Sequence, residues 1–318
     1  LHPAQNRFSS SEQSPAVKRR YPSKAAVMML RYMLALLLVF ALPSRVLAQD
    51  DAALQAQLRT LTAHYAGKVA LYATDLRTGA TVGIDPDAPV PTASVIKLAI
   101  LFDALKQIEQ GQAAFSDRLT LMKDNQVGGS GVLGLFDTPL TVTLKDALTM
   151  MVVVSDNTAT NLAIDRLGLQ NIDRQIQTLG LKSTWLYKKV FMPAPPDAPA
   201  DQKTFGLGKT TAREMAQIMT HFATCDAFPK PICETAVEML KNQTDNAAIP
   251  RYLTNVQVAN KTGALNDVRN DVAIVYAKNG PIVISAFTYD NKDQSWTPDN
   301  AGQLLIGQMA RAIVERWQ

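Results

Sequence analysis

The sequence predicts an α+β protein: one antiparallel sheet flanked by helices, built from both ends of the chain, with an all-helical domain inserted. Three observations predict it. A hairpin pattern stands near the front, helical periodicity fills the middle, and three strand patterns return before the C-terminus.

Each element has its own signal. Residues 50–66 place Leu54, Leu58 and Leu61 on one helical face. "KVALYATDLRTGATVGID" (68–85) alternates as a hairpin with Arg77-Thr78-Gly79 at its turn. From Pro91 to about 225 the pattern is helical, and "TLKDALTMMVVVSDNTATNLAIDRL" and "TTAREMAQIMTHFA" carry long apolar stripes behind Thr or Lys-Asp starts. "NVQVANKTG", "NDVAIVYAK" and "PIVISAFTYD" then read as strands joined by Gly/Asn-containing turns, before a closing helix at 299–317. The expected division is a leader over 1–48, an α/β domain from 49–90 and 230–318, and a helical domain over 91–229. With 318 residues, 47% hydrophobic and 19% charged, the chain can bury such a core.

The leader is read from its composition. Residues 1–27 are polar, basic and Ser/Pro-rich, and are expected to be disordered or to lie upstream of the true start. A basic flank (Lys24, Arg31), an apolar run from Met33 to Leu42, and Val46-Leu47-Ala48 before Gln49 then form a secretory signal. The cut is expected near Ala48–Gln49, with the mature chain periplasmic or secreted. The run is shorter than the roughly 20 residues a transmembrane helix needs, so no stable membrane span is expected in the mature chain. Beyond residue 48 stand 25 basic and 27 acidic residues, which leaves no basic footprint for nucleic acid. Cys225 and Cys233, in "TCDAFPKPICE", are candidates for a disulfide in an oxidising compartment; the alternative is two inert thiols of unmatched geometry.

Ser94 and Lys97, in "PTASVIKLAI", are one helical turn apart in an otherwise apolar run. With thirteen serines and seventeen lysines in the chain, chance alone supplies roughly one such pair. A snorkelling lysine beside a capping serine would explain it equally well. Two further motifs decide between the readings: Ser155-Asp156-Asn157, then Lys261-Thr262-Gly263 on an expected edge strand.

With these three motifs in this order, and with "SDNTATN" and "KTGALNDVRNDVAIV" in full, the chain resembles the class A β-lactamases and the related penicillin-binding serine acyltransferases. The similarity spans essentially residues 50–318. It implies the α/β sandwich of the β-lactamase/transpeptidase type and a serine hydrolase acting through an acyl-enzyme. Its small-molecule substrate would be a β-lactam or a peptide ending in D-Ala-D-Ala, with no cofactor, no metal, and a monomeric chain.

The chemistry explains the residue types. The Ser94 hydroxyl is a poor nucleophile until a base takes its proton. Lys97 can be that base only when neutral, and burial together with the cation of Lys261 lowers its pKa. Ser155 can relay a proton to the leaving nitrogen, and Asn157 can hold the substrate carbonyl and the Lys97 amine. The resemblance further implies an oxyanion hole from the backbone N–H groups of Ser94 and Ala264. Lys261, Thr262, Gly263 and Arg269 are placed by it around a substrate carboxylate, although the segment between Gly263 and Arg269 is one residue shorter than is common.

Rival hydrolases have little to work with. No G-x-S-x-G elbow exists, since "GGSGVLG" (128–134) misplaces its second glycine. His64 and His221 are the histidines beyond the leader, and neither stands in a zinc-ligand spacing. "GGSG" itself is expected to bound the cleft as a flexible loop or to be a plain turn. One family feature is missing. Class A enzymes carry a glutamate in an omega-shaped loop, yet no glutamate occurs between Gln170 and Glu214. Asn161, matching the family asparagine that contacts this loop, is nevertheless present, and Asp197 and Asp201 are the nearest carboxylates. The missing base opens three readings: a β-lactamase with slow deacylation, a D-Ala-D-Ala carboxypeptidase or transpeptidase, or a non-catalytic binder or sensor.

Overall fold

A computed structural model describes residues 48–318; the leader and its signal lie outside the described residues. Helix α1 (Ala48–Thr62) is followed by the hairpin β1 (Lys68–Asp75) and β2 (Thr81–Ile84), whose turn Asp75 ties by accepting from the N–H of Arg77 at 2.8 Å. Strands β8 (Gln257–Leu265), β9 (Val268–Ala277) and β10 (Gly280–Tyr289) complete an antiparallel sheet of order β2-β1-β10-β9-β8. The Lys-Thr-Gly triplet therefore sits on an edge strand. Antiparallel alternation sends Val272 and Ile274 of β9 to one face and Ala273 and Val275 to the other. The second face is covered by α1 and by α9 (Ala301–Trp317), through Leu54, Leu58, Ile306, Met309 and Ile313.

The first face meets the helices of the middle region. These are α2 (Lys97–Glu109), α3 (Leu144–Val153), α4 (Asn157–Leu167), α5 (Leu169–Thr178), the short α6 (Gln202–Phe205), α7 (Ala212–Thr224) and α8 (Lys230–Lys241). The stripe Met215, Ile218, Met219 and Phe222 of α7 is buried in the same core as Ala70, Val283 and Phe287 of the sheet. The two cysteines are joined as the disulfide Cys225–Cys233, with the Phe102, Phe222 and Phe228 rings grouped nearby in the core. Among the described residues no helix is long and apolar enough to cross a membrane.

Two local features depart from the helical periodicity of 91–225. Short strands interrupt it: β4 (Arg118–Leu121) pairs with β5 (Leu140–Thr143), and β3 (Val90–Pro91), β6 (Trp185–Leu186) and β7 (Gly208–Thr210) form a three-stranded ribbon. Segments of two to four residues are too short to print a two-residue period. The apolar stripe from 144 to 167 is also split into α3 and α4. Ser155 takes a left-handed φ of 54°, and Asp156 caps α4 by accepting from the N–H of Ala159 at 2.8 Å. Thus the Ser-Asp-Asn triplet occupies the break between two helices.

Candidate active site

Ser94 lies in a 3-10 turn (Ala93–Ile96) that runs straight into α2, so Lys97 opens the helix one turn later. Val95, Ile96, Leu98 and Ile100 are fully buried around it, and so is Lys97 itself, at 0% exposure. The apolar run has carried the lysine into the core. There its amine donates to the Ser155 carbonyl at 2.7 Å and to the Asn157 Oδ1 at 3.1 Å, with the Ser155 hydroxyl also at 3.1 Å. The two N–H bonds of a neutral amine suffice for the two carbonyl-type acceptors, which leaves the lone pair for a hydroxyl. Burial above all, and then the cation of Lys261, holds the Lys97 pKa well below the ordinary lysine value; Asp156 pulls the other way.

Asp156 organises the opposite wall. Besides capping α4, its carboxylate accepts from the N–H groups of Val132 and Leu133 at 2.6 and 2.8 Å. Asn157 donates its amide to the Gly128 carbonyl and its backbone N–H to the Ser130 carbonyl. The Gly-Gly-Ser-Gly loop, expected to be flexible or a plain turn, is thus tied to the Ser-Asp-Asn break at several points. Gly131, at φ 101°, rests against Asp156 with no room for a side chain. Sequence reading had no task for Asp156 beyond its place in the triplet.

The third wall is β8. Lys261 is fully buried, donates to the Thr262 carbonyl at 2.8 Å, and is lowered to about 8 by burial against the opposing pull of Asp271 and Asp245. Gly263 explains itself by close approach. A Cβ there would lie 2.9 Å from the Ser94 nitrogen and from the Thr92 carbonyl oxygen, and 3.0 Å from the Val95 nitrogen. Only glycine lets the edge strand meet the Ser94 turn, and Asn270 fastens that turn by donating to the Pro91 and Thr92 carbonyls.

Ser94, Ser155, Asn157, Thr262, Gly263 and Ala264 all line one cleft of about 1050 Å³; Lys97 and Lys261 are buried beneath it. Arg269 lines it too, but differently from expectation. The β8–β9 hairpin turns on Asn266-Asp267 alone and pairs Arg269 with Ala264. Arg269 is 2% exposed, and its guanidinium donates to the carbonyls of Leu265, Val268 and Ser295. The Trp296 ring lies 4.7 Å from it, and Asp293 and Asp245 are within electrostatic reach.

The long loop supplies the last wall. Asn161 grips Val190 by both backbone groups, donating to its carbonyl at 3.0 Å and accepting its N–H at 2.8 Å. Val190 and Phe191 line the cleft, so this loop presents apolar side chains to it. Asp201 is occupied by Tyr187 and Lys209, and Asp197 faces a separate cavity behind the loop.

The comparisons agree with this fold. The model of the β-lactamase enzyme family matches residues 53–317. A β-lactamase of Bacillus licheniformis is 26% identical over 265 residues, covering 80% of this chain and 81% of that one. The β-lactamase of Sphaerobacter thermophilus superposes with a TM-score of 0.71 at 27% identity, over 82% and 95% of the two chains. A leucine-to-glutamate variant of PBP-A, solved as its acyl-enzyme with penicillin G, gives 0.72 at 26% identity, over 83% and 96%. The fold is that of the class A serine hydrolases. The chain belongs to the β-lactamase enzyme family.

Proposed function

We propose that the protein is acylated at Ser94 by β-lactam amides and releases the acyl group slowly. The observation that carries this is the pairing of a complete acylation apparatus with a loop that offers valine at the point Asn161 holds. Neutral Lys97 takes the Ser94 proton while Ser94 Oγ attacks the amide carbonyl. The backbone N–H groups of Ser94 and Ala264 hold the resulting oxyanion. Collapse breaks the carbon–nitrogen bond, and the proton passes from Lys97 through the Ser155 hydroxyl to the leaving nitrogen. Asn157 steadies the acyl-side carbonyl, while Lys261 and Thr262 attract the substrate carboxylate. Release of the acyl group then lacks a positioned carboxylate base. The PBP-A variant solved as an acyl-enzyme with penicillin G supports acylation by a penicillin, the first of these steps.

Val190 also favours a second reading, a D-Ala-D-Ala carboxypeptidase or transpeptidase using the same serine. Export to an oxidising compartment suits either, and the Cys225–Cys233 bond supports it. Covalent labelling by a fluorescent penicillin tests the shared step: it is expected in the native protein and absent from Ser94→Ala. Equal labelling of Ser94→Ala on intact-mass analysis would remove the reading.

A further inference from the structure

Arg269 is bound into the wall of the cleft rather than open to it. Its guanidinium spends donors on the Leu265 and Val268 carbonyls of its own hairpin and on the Ser295 carbonyl of the segment before α9. Its face carries the Trp296 indole at 4.7 Å, the spacing of a cation–π contact. One buried cation thus holds the backbone of Leu265 and the ring of Trp296, two apolar residues of the rim that are 42% and 67% exposed. Large apolar groups left bare at a cleft edge gain by being covered.

With Ser155 as the proton carrier proposed above, the leaving-group side of the cleft is the side of Ser155. The segment carrying Thr244 and Asp245, which line the cleft beside it, is tied to the end of α3. Gln243 donates to the Val152 carbonyl at 2.9 Å and Thr244 to the Val153 carbonyl at 3.2 Å, immediately before Ser155. Asp245 is within electrostatic reach of both Lys261 and Arg269. Elsewhere in the cleft, Gly129 has both the Asn157 amide and the Phe191 ring against it, with no room for a Cβ.

We infer that Arg269 is a positioning residue which builds, from Leu265 and Trp296, an apolar subsite for the substituent on the leaving side of the scissile amide. The substrate class is then an amide whose leaving portion carries an aromatic or other flat apolar group beside its carboxylate. Lys261 and Thr262 attract that carboxylate; Arg269 does not touch it. The inference rests on acylation at Ser94 and on Ser155 as the proton carrier to the leaving nitrogen.

Two cephalosporins test it, sharing one acyl side chain and differing on the leaving side, methyl in one and an aromatic thioether in the other. The second-order acylation constant of each is measured by intact mass for the native protein, Trp296→Ala, Arg269→Ala and Arg269→Lys, with thermal melts to confirm folding. The native protein should prefer the aromatic compound. The ratio of the two constants should fall about tenfold in Trp296→Ala, and equally in Arg269→Ala, although arginine touches no substrate. Arg269→Lys, which cannot reproduce the fork of donors, should also lose the preference. A uniform loss with both compounds in the arginine variants would show that Arg269 reads the shared carboxylate, and would overturn the inference. An unchanged ratio in Trp296→Ala would overturn it too. Failure of both compounds to acylate the native protein would instead remove the serine reading, and the subsite with it.

Discussion

Asn161 clasps Val190 through both of its backbone groups, at 2.8 and 3.0 Å, and so presents a valine to the cleft that holds Ser94. The clasp fixes the backbone and is indifferent to the side chain. Val190→Glu should therefore place a carboxylate at this point without disturbing the loop. Acyl release should accelerate by about 10²–10⁴, the usual worth of a general base, while acylation changes little. Single-turnover decay of the penicillin adduct, followed by mass, checks this. An unchanged decay rate would mean the slow step has another cause.

The buried lysine pair sets the pH dependence of acylation. Lys97 works as a base only when neutral, so the rate should rise as pH climbs through its depressed pKa and level off below the ordinary lysine range. Above about 8, Lys261 loses its charge and attraction for an anionic substrate should weaken, giving a falling limb. Lys261→Ala removes a cation that lowers Lys97 and so raises the Lys97 pKa. The rising limb should move to higher pH, and the falling limb should vanish. Stopped-flow labelling across pH reads both; a rising limb that stays in place would contradict the coupling.

Behind the Lys-Thr-Gly strand lies Asp271, fully buried, accepting from the Asn260 amide and from the N–H of Ile249. Burial above all raises its carboxyl from 3.8 to about 7. Between these values the folded state keeps a proton that the unfolded state releases. Its contribution to stability is therefore full below the unfolded pKa, declines as pH rises, and is lost above about 7. Urea denaturation of the native protein and Asp271→Asn at acid, neutral and alkaline pH should show the difference between them shifting toward the variant as pH rises. Parallel pH profiles would contradict it.

The residues that meet at the cleft were legible because the chemistry read from them depends on residue types at short spacings. Ser94 and Lys97 share a turn, and the two other triplets are compact. The sheet of both termini was legible for a similar reason, since strands of eight to ten residues display their alternation. What escaped depends on backbone groups far apart in sequence. The Val190 clasp, the three carbonyls around Arg269 and the anchoring of Gly-Gly-Ser-Gly by Asn157 use acceptors and donors that every residue owns. The break at Ser155 escaped because the apolar stripe continues on both sides of it. A left-handed serine leaves no mark in a hydrophobic pattern.

Acylation that outruns release is tested most directly by one time course. The native protein is mixed with excess chromogenic cephalosporin, and product and protein mass are followed together, with Ser94→Ala as control. The expected result is a burst close to one product per enzyme molecule, a matching mass increase that persists on Ser94, and slow turnover afterwards. Rapid, sustained turnover with no burst and no accumulated adduct would contradict it.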